Sequence, residues 1–233
     1  MRTQHLSRFF MSVLLAAVTL AVGLSATAQA EDTLKKDVGY LMTSLPGSEK
    51  FEEVMLLNSR TLTVNGTATV IKEISHGLRK KAIFGLVPVR VYVAELLATH
   101  PEKLIRTESG FLPSVKAAAP VQLHLTFLRD LPGRKVSESF KEGLEANKIN
   151  VRKLTSELNQ VLEQIAAIQE FKKGQSFSVT AIWTGSQGAI LLEDSEKIKV
   201  IPGSDEFIQQ IFSIWFGKPA DGKLTELRKE LFK

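Results

Sequence analysis

The sequence contains no cysteine. That absence excludes a disulfide scaffold, cysteine-ligated zinc, a thiol nucleophile and a lipid-modified N-terminal cysteine. Gly-x-Gly-x-x-Gly and the P-loop pattern are missing as well, and with them the usual backbone cradles for nucleotide phosphates. No repeat of fixed period and no low-complexity tract occurs. Charge of one sign is scarce: 30 Lys and Arg against 25 Asp and Glu leave +5 spread along 233 residues, so no nucleic-acid partner is expected. After His5, the histidines His76, His100 and His124 are scattered without an i, i+4 pair, and neither a metal site nor a cofactor is expected. Ser186 lies in Gly-Ser-Gln-Gly rather than Gly-x-Ser-x-Gly, and turn composition accounts for it.

What is present describes a globular chain of one domain, 44% hydrophobic and 24% charged. Its one long apolar run is at the start. Arg2, His5 and Arg8 precede an uncharged stretch from Phe9 to Leu24, and Ala28-Gln29-Ala30 offers the small-x-small pattern of a cleavage site. Residues 1–30 therefore read as a cleaved export signal, with Glu31 as the mature N-terminus. The alternative is a retained anchor, for which sixteen positions fall short of the roughly 20 a bilayer requires. No later run reaches that length, so no membrane span is expected after cleavage, and in a diderm bacterium the compartment is the periplasm. Residues 31–55 mix charge with Gly39, Pro46 and Gly47 without a steady period and read as a flexible arm.

Beyond the arm, Arg60 to Val64 and Thr67 to Ile74 flank Asn65-Gly66, a strong hairpin signal. Leu78 to Leu97 reads as two strands joined near Gly85 and Pro88, or as one strand with a bulge. Pro101 to Arg106 suits a short helix, and Val121 to Leu128 a strand. Helical spacing follows over Val136 to Leu144 and Val151 to Ile168. Ser176 to Thr184, Ala189 to Leu192 and Lys197 to Ile201 are strand-like, and Gly185 to Gly188 is a turn. Ser204 caps a helix whose buried stripe runs from Phe207 to Trp215, Gly217 stops it, and Asp221 to Leu231 forms a last helix. The order predicts an α+β protein, an antiparallel sheet covered by helices on one face.

The stretch from Ser75 to Thr99, SHGLRKKAIFGLVPVRVYVAELLAT, resembles the exported bacterial members of the chalcone isomerase-like family. Gly77, Arg79, Lys81 and Phe84 meet its Gly-x-x-Arg-x-Lys-x-x-Phe pattern, which runs on into Val91-Tyr92-Val93-Ala94. LTFLRDLPGRKVSESFKEGLEAN, from Leu125, is similar to the family's strand and following helix, and FIQQIFSIWFGKPADGKLTELRKELF, from Phe207, to its closing block. The three blocks stand in family order and define a domain over 56–233. The resemblance implies an open-faced sandwich, a large antiparallel sheet under a layer of helices with a ligand cleft between them.

The resemblance also implies a site. In the plant fatty-acid-binding relatives the cleft holds a carboxylate with an Arg and a Tyr thirteen residues later, the spacing of Arg79 and Tyr92. A guanidinium fork matches a carboxylate in two charge-assisted bonds, and a phenol adds a third. The bland alternatives are an Arg paired with an internal Asp or Glu and a Tyr in the core. Authentic chalcone isomerases add a Thr, a Tyr and an Asn around an oxyanion. In this chain those positions fall at Val87, near Pro132 and at Ser139, and no Tyr follows Tyr92. The expectation is therefore a non-catalytic, exported protein with a cleft near Arg79 for a small amphipathic carboxylate such as a fatty acid. Two alternatives stand beside it, an envelope scaffold without a small ligand and an isomerase or lyase with an altered site. Arg129-Asp130 is read as a local structural pair at the start of a helix, with contact to a ligand at the cleft mouth as the alternative, and Trp215 as core.

Overall fold

Paired turn residues and alternating side chains build the sheet, which the computed structural model describes over residues 39–83, 87–195 and 197–233. The expected export signal, and the expected arm up to residue 38, lie outside those residues. From Tyr40 onward the arm is instead a strand. Strand β1, Tyr40–Phe51, pairs antiparallel with β2, Val54–Val64. Its sequence signal is weak for a physical reason. It is an edge strand with most of its length exposed on both faces, so little selects for alternation, and its register shifts around Pro46. The turn after it carries no glycine: Glu52 and Glu53, with φ of 48° and 73°, adopt the left-handed conformation.

Asn65 and Gly66, with φ of 49° and 80°, turn β2 into β3, Thr67–Ile83, as the sequence predicts. Strand β4, Val87–Ala98, returns beside it. Arg79 pairs with Tyr92 but Lys80 with Arg90, which leaves Val91 as the extra residue of a bulge. The Leu78 to Leu97 stretch thus contains both features that its composition allowed.

The remaining elements are α1, Phe111–Ala118; β5, Val121–Phe127; β6, Leu131–Pro132; α2, Gly133–Ala146; α3, Ser156–Ala167; and β7, Glu170–Phe171. They are followed by β8, Ser176–Thr184; β9, Gln187–Asp194; β10, Lys197–Gly203; α4, Asp205–Phe216; and α5, Gly222–Leu231. The side chains of Thr155, Ser204 and Asp221 cap α3, α4 and α5 by accepting from the backbone N–H groups of Leu158, Phe207 and Leu224. Helix α1 is short and has no side-chain cap, which is why the sequence did not announce it. Helix α3 begins only after its Thr155 cap, at Ser156, five residues later than periodicity alone suggested.

Eight strands form one antiparallel sheet in the order β1-β2-β3-β4-β5-β8-β9-β10, and β6 pairs with β7 in a small separate ladder. Alternation along β5 sends Val121, Leu123, Leu125 and Phe127 under the helices and turns Gln122 and His124 to the other face. Buried residues of all five helices join the first of these layers, where Phe111 stacks on Phe216 at 3.7 Å and Phe127 on Phe171 at 4.6 Å. The sheet curls: Arg60 of β2 reaches Gln122, Ser178 and Glu193 on β5, β8 and β9. The expected α+β open-faced sandwich is therefore what the chain forms, entered at Tyr40 rather than at residue 56. Among the described residues, no helix is long and apolar enough to cross a membrane.

Candidate functional site: an apolar cleft beside Arg79 and Tyr92

A cleft of about 370 Å³ lies between β3, β4 and β5 below and α2, α4 and α5 above. It opens where the Val91 bulge changes the parity of β4. On one side of the bulge Tyr92 and Ala94 face the helices, and on the other Val89 and Val91 do, so Val89, Val91 and Tyr92 share the helix-facing side. Leu125, Phe127, Phe140 and Ile214 supply apolar wall.

Arg79 and Tyr92, thirteen residues apart in sequence, are cross-strand partners and both line this cleft. Arg79 is only 7% exposed. Its Nη1 and Nη2 donate to Oδ1 and Oδ2 of Asp221 at 2.9 and 2.6 Å, and Nη1 also donates to the carbonyl of Lys80. Burial works against the Arg79 charge, but the bond to Asp221 and the negative charge of that carboxylate outweigh it and raise the pKa. Burial also opposes the Asp221 charge, yet Arg79 and the Leu224 amide hold its carboxyl below the usual range. An internal carboxylate thus takes one edge of the guanidinium. The other edge, that of Nε–H, has no protein acceptor among the described residues, and the Tyr92 phenol lies close to the guanidinium. Nor is Nε sealed in, because Glu95 Oε2 is the one fully buried side-chain polar atom without a partner among those residues. Arg79 lines the cleft.

Tyr92 is placed by a residue that sequence reading assigned to plain core. Trp215 is buried, but it also lines the cleft, and its Nε1 donates to the Tyr92 hydroxyl at 3.0 Å. With the phenol oxygen already accepting, its own proton is left to donate elsewhere. Burial pushes the Tyr92 phenol up, and the nearby Arg79 charge opposes that rise without cancelling it, so the proton stays on at neutral pH. The missed signal for Trp215 was its indole N–H, a donor that must find an acceptor once buried.

Charged side chains mark the mouth. Lys81 pairs with Glu142 and Lys135 with Glu138, each at 2.9 Å, while Arg129 has no carboxylate partner among the described residues. Arg129 and Asp130 part roles: Asp130 is structural, accepting from the Lys173 backbone N–H at 2.7 Å, while Arg129 lines the cleft. Of the three positions at which catalytic residues of chalcone isomerases fall, only Ser139 lines the cleft, its Oγ accepting from Lys81 Nζ at 3.3 Å. Val87, 62% exposed, and Pro132 do not.

A curled antiparallel sheet under helices, five among the described residues, agrees with what the comparisons find. The family model described as chalcone isomerase-like matches residues 47–231, and the chain belongs to that family. Among solved structures it is similar to a fatty-acid-binding protein of Arabidopsis thaliana. The TM-score is 0.50 at 17% identity, covering 70% of this chain and 86% of that one, a likeness of fold. No curated protein matches the sequence.

Proposed function

We propose that this protein is a non-catalytic binding protein that takes a small amphipathic acid, such as a fatty acid, into the cleft beside Arg79. The observation that carries the reading is that Arg79, whose Nε has no protein acceptor among the described residues, and Tyr92 are cross-strand neighbours lining one apolar cleft. A guanidinium bond and a phenol bond fit the two oxygens of a carboxylate, and the apolar walls receive an alkyl chain. The fatty-acid-binding protein of the same fold supports the choice of ligand class. A cleft of a few hundred cubic ångströms favours a ligand over a scaffold role, for which Phe and Leu side chains would be expected to fill this space. The basic start, apolar run and Ala28-Gln29-Ala30 of the leader support export, with the mature protein in the periplasm.

Calorimetric titration with medium- and long-chain fatty acids tests the binding. Arg79→Ala should weaken affinity by about 2–5 kcal/mol, and Tyr92→Phe by about 0.5–1.5 kcal/mol. Arg79→Lys keeps the charge but loses the fork, and should fall between them. Wild type that binds no acid, or variants that bind as well as wild type, would return Arg79 to a purely structural ion pair and favour the scaffold. N-terminal sequencing of the periplasmic fraction tests export, and a full-length chain found in the inner membrane would refute it.

A further inference from the structure

The charge of Arg79 is already spent on the protein. Asp221 meets it with both carboxylate oxygens, so the inner end of the cleft carries one positive and one negative charge before any ligand arrives. At the mouth, Lys81 with Glu142 and Lys135 with Glu138 cancel likewise, and Arg129 there keeps a charge unmatched among the described residues, apart from the inner end that Arg79 and Tyr92 form. What Arg79 and Tyr92 still offer is hydrogen-bond donation without net charge. A carboxylate seated on the remaining edge of the guanidinium would be the second anion on one cation. The carbonyl oxygen of an ester or amide accepts from the same donors and brings no like charge beside Asp221.

We propose that the inner end of this cleft recognises an acceptor oxygen rather than a negative charge, and that neutral carbonyl lipids, esters and amides of alkyl acids, are ligands of the same site. The inference rests on the binding reading above and makes Asp221 a specificity-determining residue. Asp221 stands behind Arg79 rather than in the cleft wall. It caps α5 through Leu224 at 2.8 Å and joins that helix to β3. It therefore sets the electrostatic character of the site without touching the ligand, and Asp221→Asn removes its charge while an amide oxygen still caps the helix.

The test is a matched titration of wild type with decanoic acid and decanamide, repeated on Asp221→Asn. Wild type is expected to bind the two with dissociation constants within about tenfold, whereas an uncompensated arginine favours the acid by far more. Asp221→Asn should tighten decanoate about tenfold or more and leave decanamide nearly unchanged. Preference of wild type for decanoate by more than about a hundredfold, or weaker decanoate binding by Asp221→Asn, would overturn the inference and leave the binding reading standing. Binding of neither compound by wild type would remove both. The wild-type comparison alone is decisive if the variant does not fold.

Discussion

Two buried arginines sit on opposite faces of the same sheet, and they are used differently. Arg60, 4% exposed, lies on the face away from the helices. It donates from Nε to Ser44 at 3.0 Å, from Nη1 to Gln122, Ser178 and Glu193, and from Nη2 to Glu193 again at 2.7 Å. Its partners come from β1, β5, β8 and β9, so one side chain ties the curl of the sheet together. Arg79 has one carboxylate, one carbonyl and an open edge over a void. Burial and an ion pair are common to both. The difference is whether the donors are consumed, and that is the observation that separates a structural knot from a candidate site.

The largest expected effect breaks the knot. Arg60→Met leaves Glu193 buried without its counter-charge and should cost about 3–5 kcal/mol of stability in denaturant melts, with much of it recovered in the double variant with Glu193→Leu. Arg79→Ala should cost far less stability, because the Asp221 side chain is 36% exposed and can turn to water. Equal losses from the two substitutions would erase the distinction drawn between the faces.

A second, smaller effect is written in pH. On the Arg60 face, Glu95 is fully buried; its Oε1 accepts from the Leu57 N–H at 2.6 Å, and burial pushes its pKa up to about 7. Between pH 4.5, its ordinary value, and about 7 the unfolded chain releases this proton while the folded protein keeps it, so stability falls as pH rises through that window. His124, bonded to Ser178 Oγ at 2.8 Å, is pushed down to about 3 by burial and the Arg60 charge. Its term runs the other way, and stability falls as pH drops from 6.5 toward 3. Glu95→Gln should therefore gain roughly 2–3 kcal/mol over wild type at pH 8 and nothing at pH 4. Ligand titrations should not register the change, since Glu95 does not line the cleft; a shift in affinity would show the two faces to be coupled.

The smallest effect sharpens the other side of the comparison. Trp215→Phe keeps an aromatic wall and removes the donor to Tyr92, so the phenol loses its fixed orientation. Acid affinity should fall by about 0.5–1.5 kcal/mol in the wild-type background. In a Tyr92→Phe background it should fall hardly at all, which distinguishes positioning from a change in cavity shape.

These contrasts bear on how far the sequence could be read. Elements with a local chemical signature were legible: the Asn65-Gly66 turn, the Ser204 cap, the stripe from Phe207 to Trp215, and the break between β3 and β4. The family blocks brought Arg79 and Tyr92 forward as a pair, and they are neighbours across two strands. Three things were not legible. Strand β1 lacks a buried face that would impose a period, and Glu52 and Glu53 disguise its turn. The Asp221 partnership joins residues 142 positions apart, which no local pattern encodes. The polar layer around Arg60 depends on the curl of the sheet, a property of strand packing rather than of any single strand.

The bulge at Val91 makes this cleft sensitive to a kind of change that substitutions do not sample. Removing that one residue would restore an unbroken ladder between β3 and β4 with the pairs on either side, Arg79 with Tyr92 and Lys80 with Arg90, unchanged. Val89, opposite Lys81, would still face the helices, and Arg90, which pairs with Glu52 at 2.8 Å, would stay on the other face. A single-codon deletion would in this way take the Val91 side chain out of the apolar wall while leaving Arg79, Tyr92 and Asp221 in place. Length of β4, as much as the identity of its residues, sets what the cleft is able to hold.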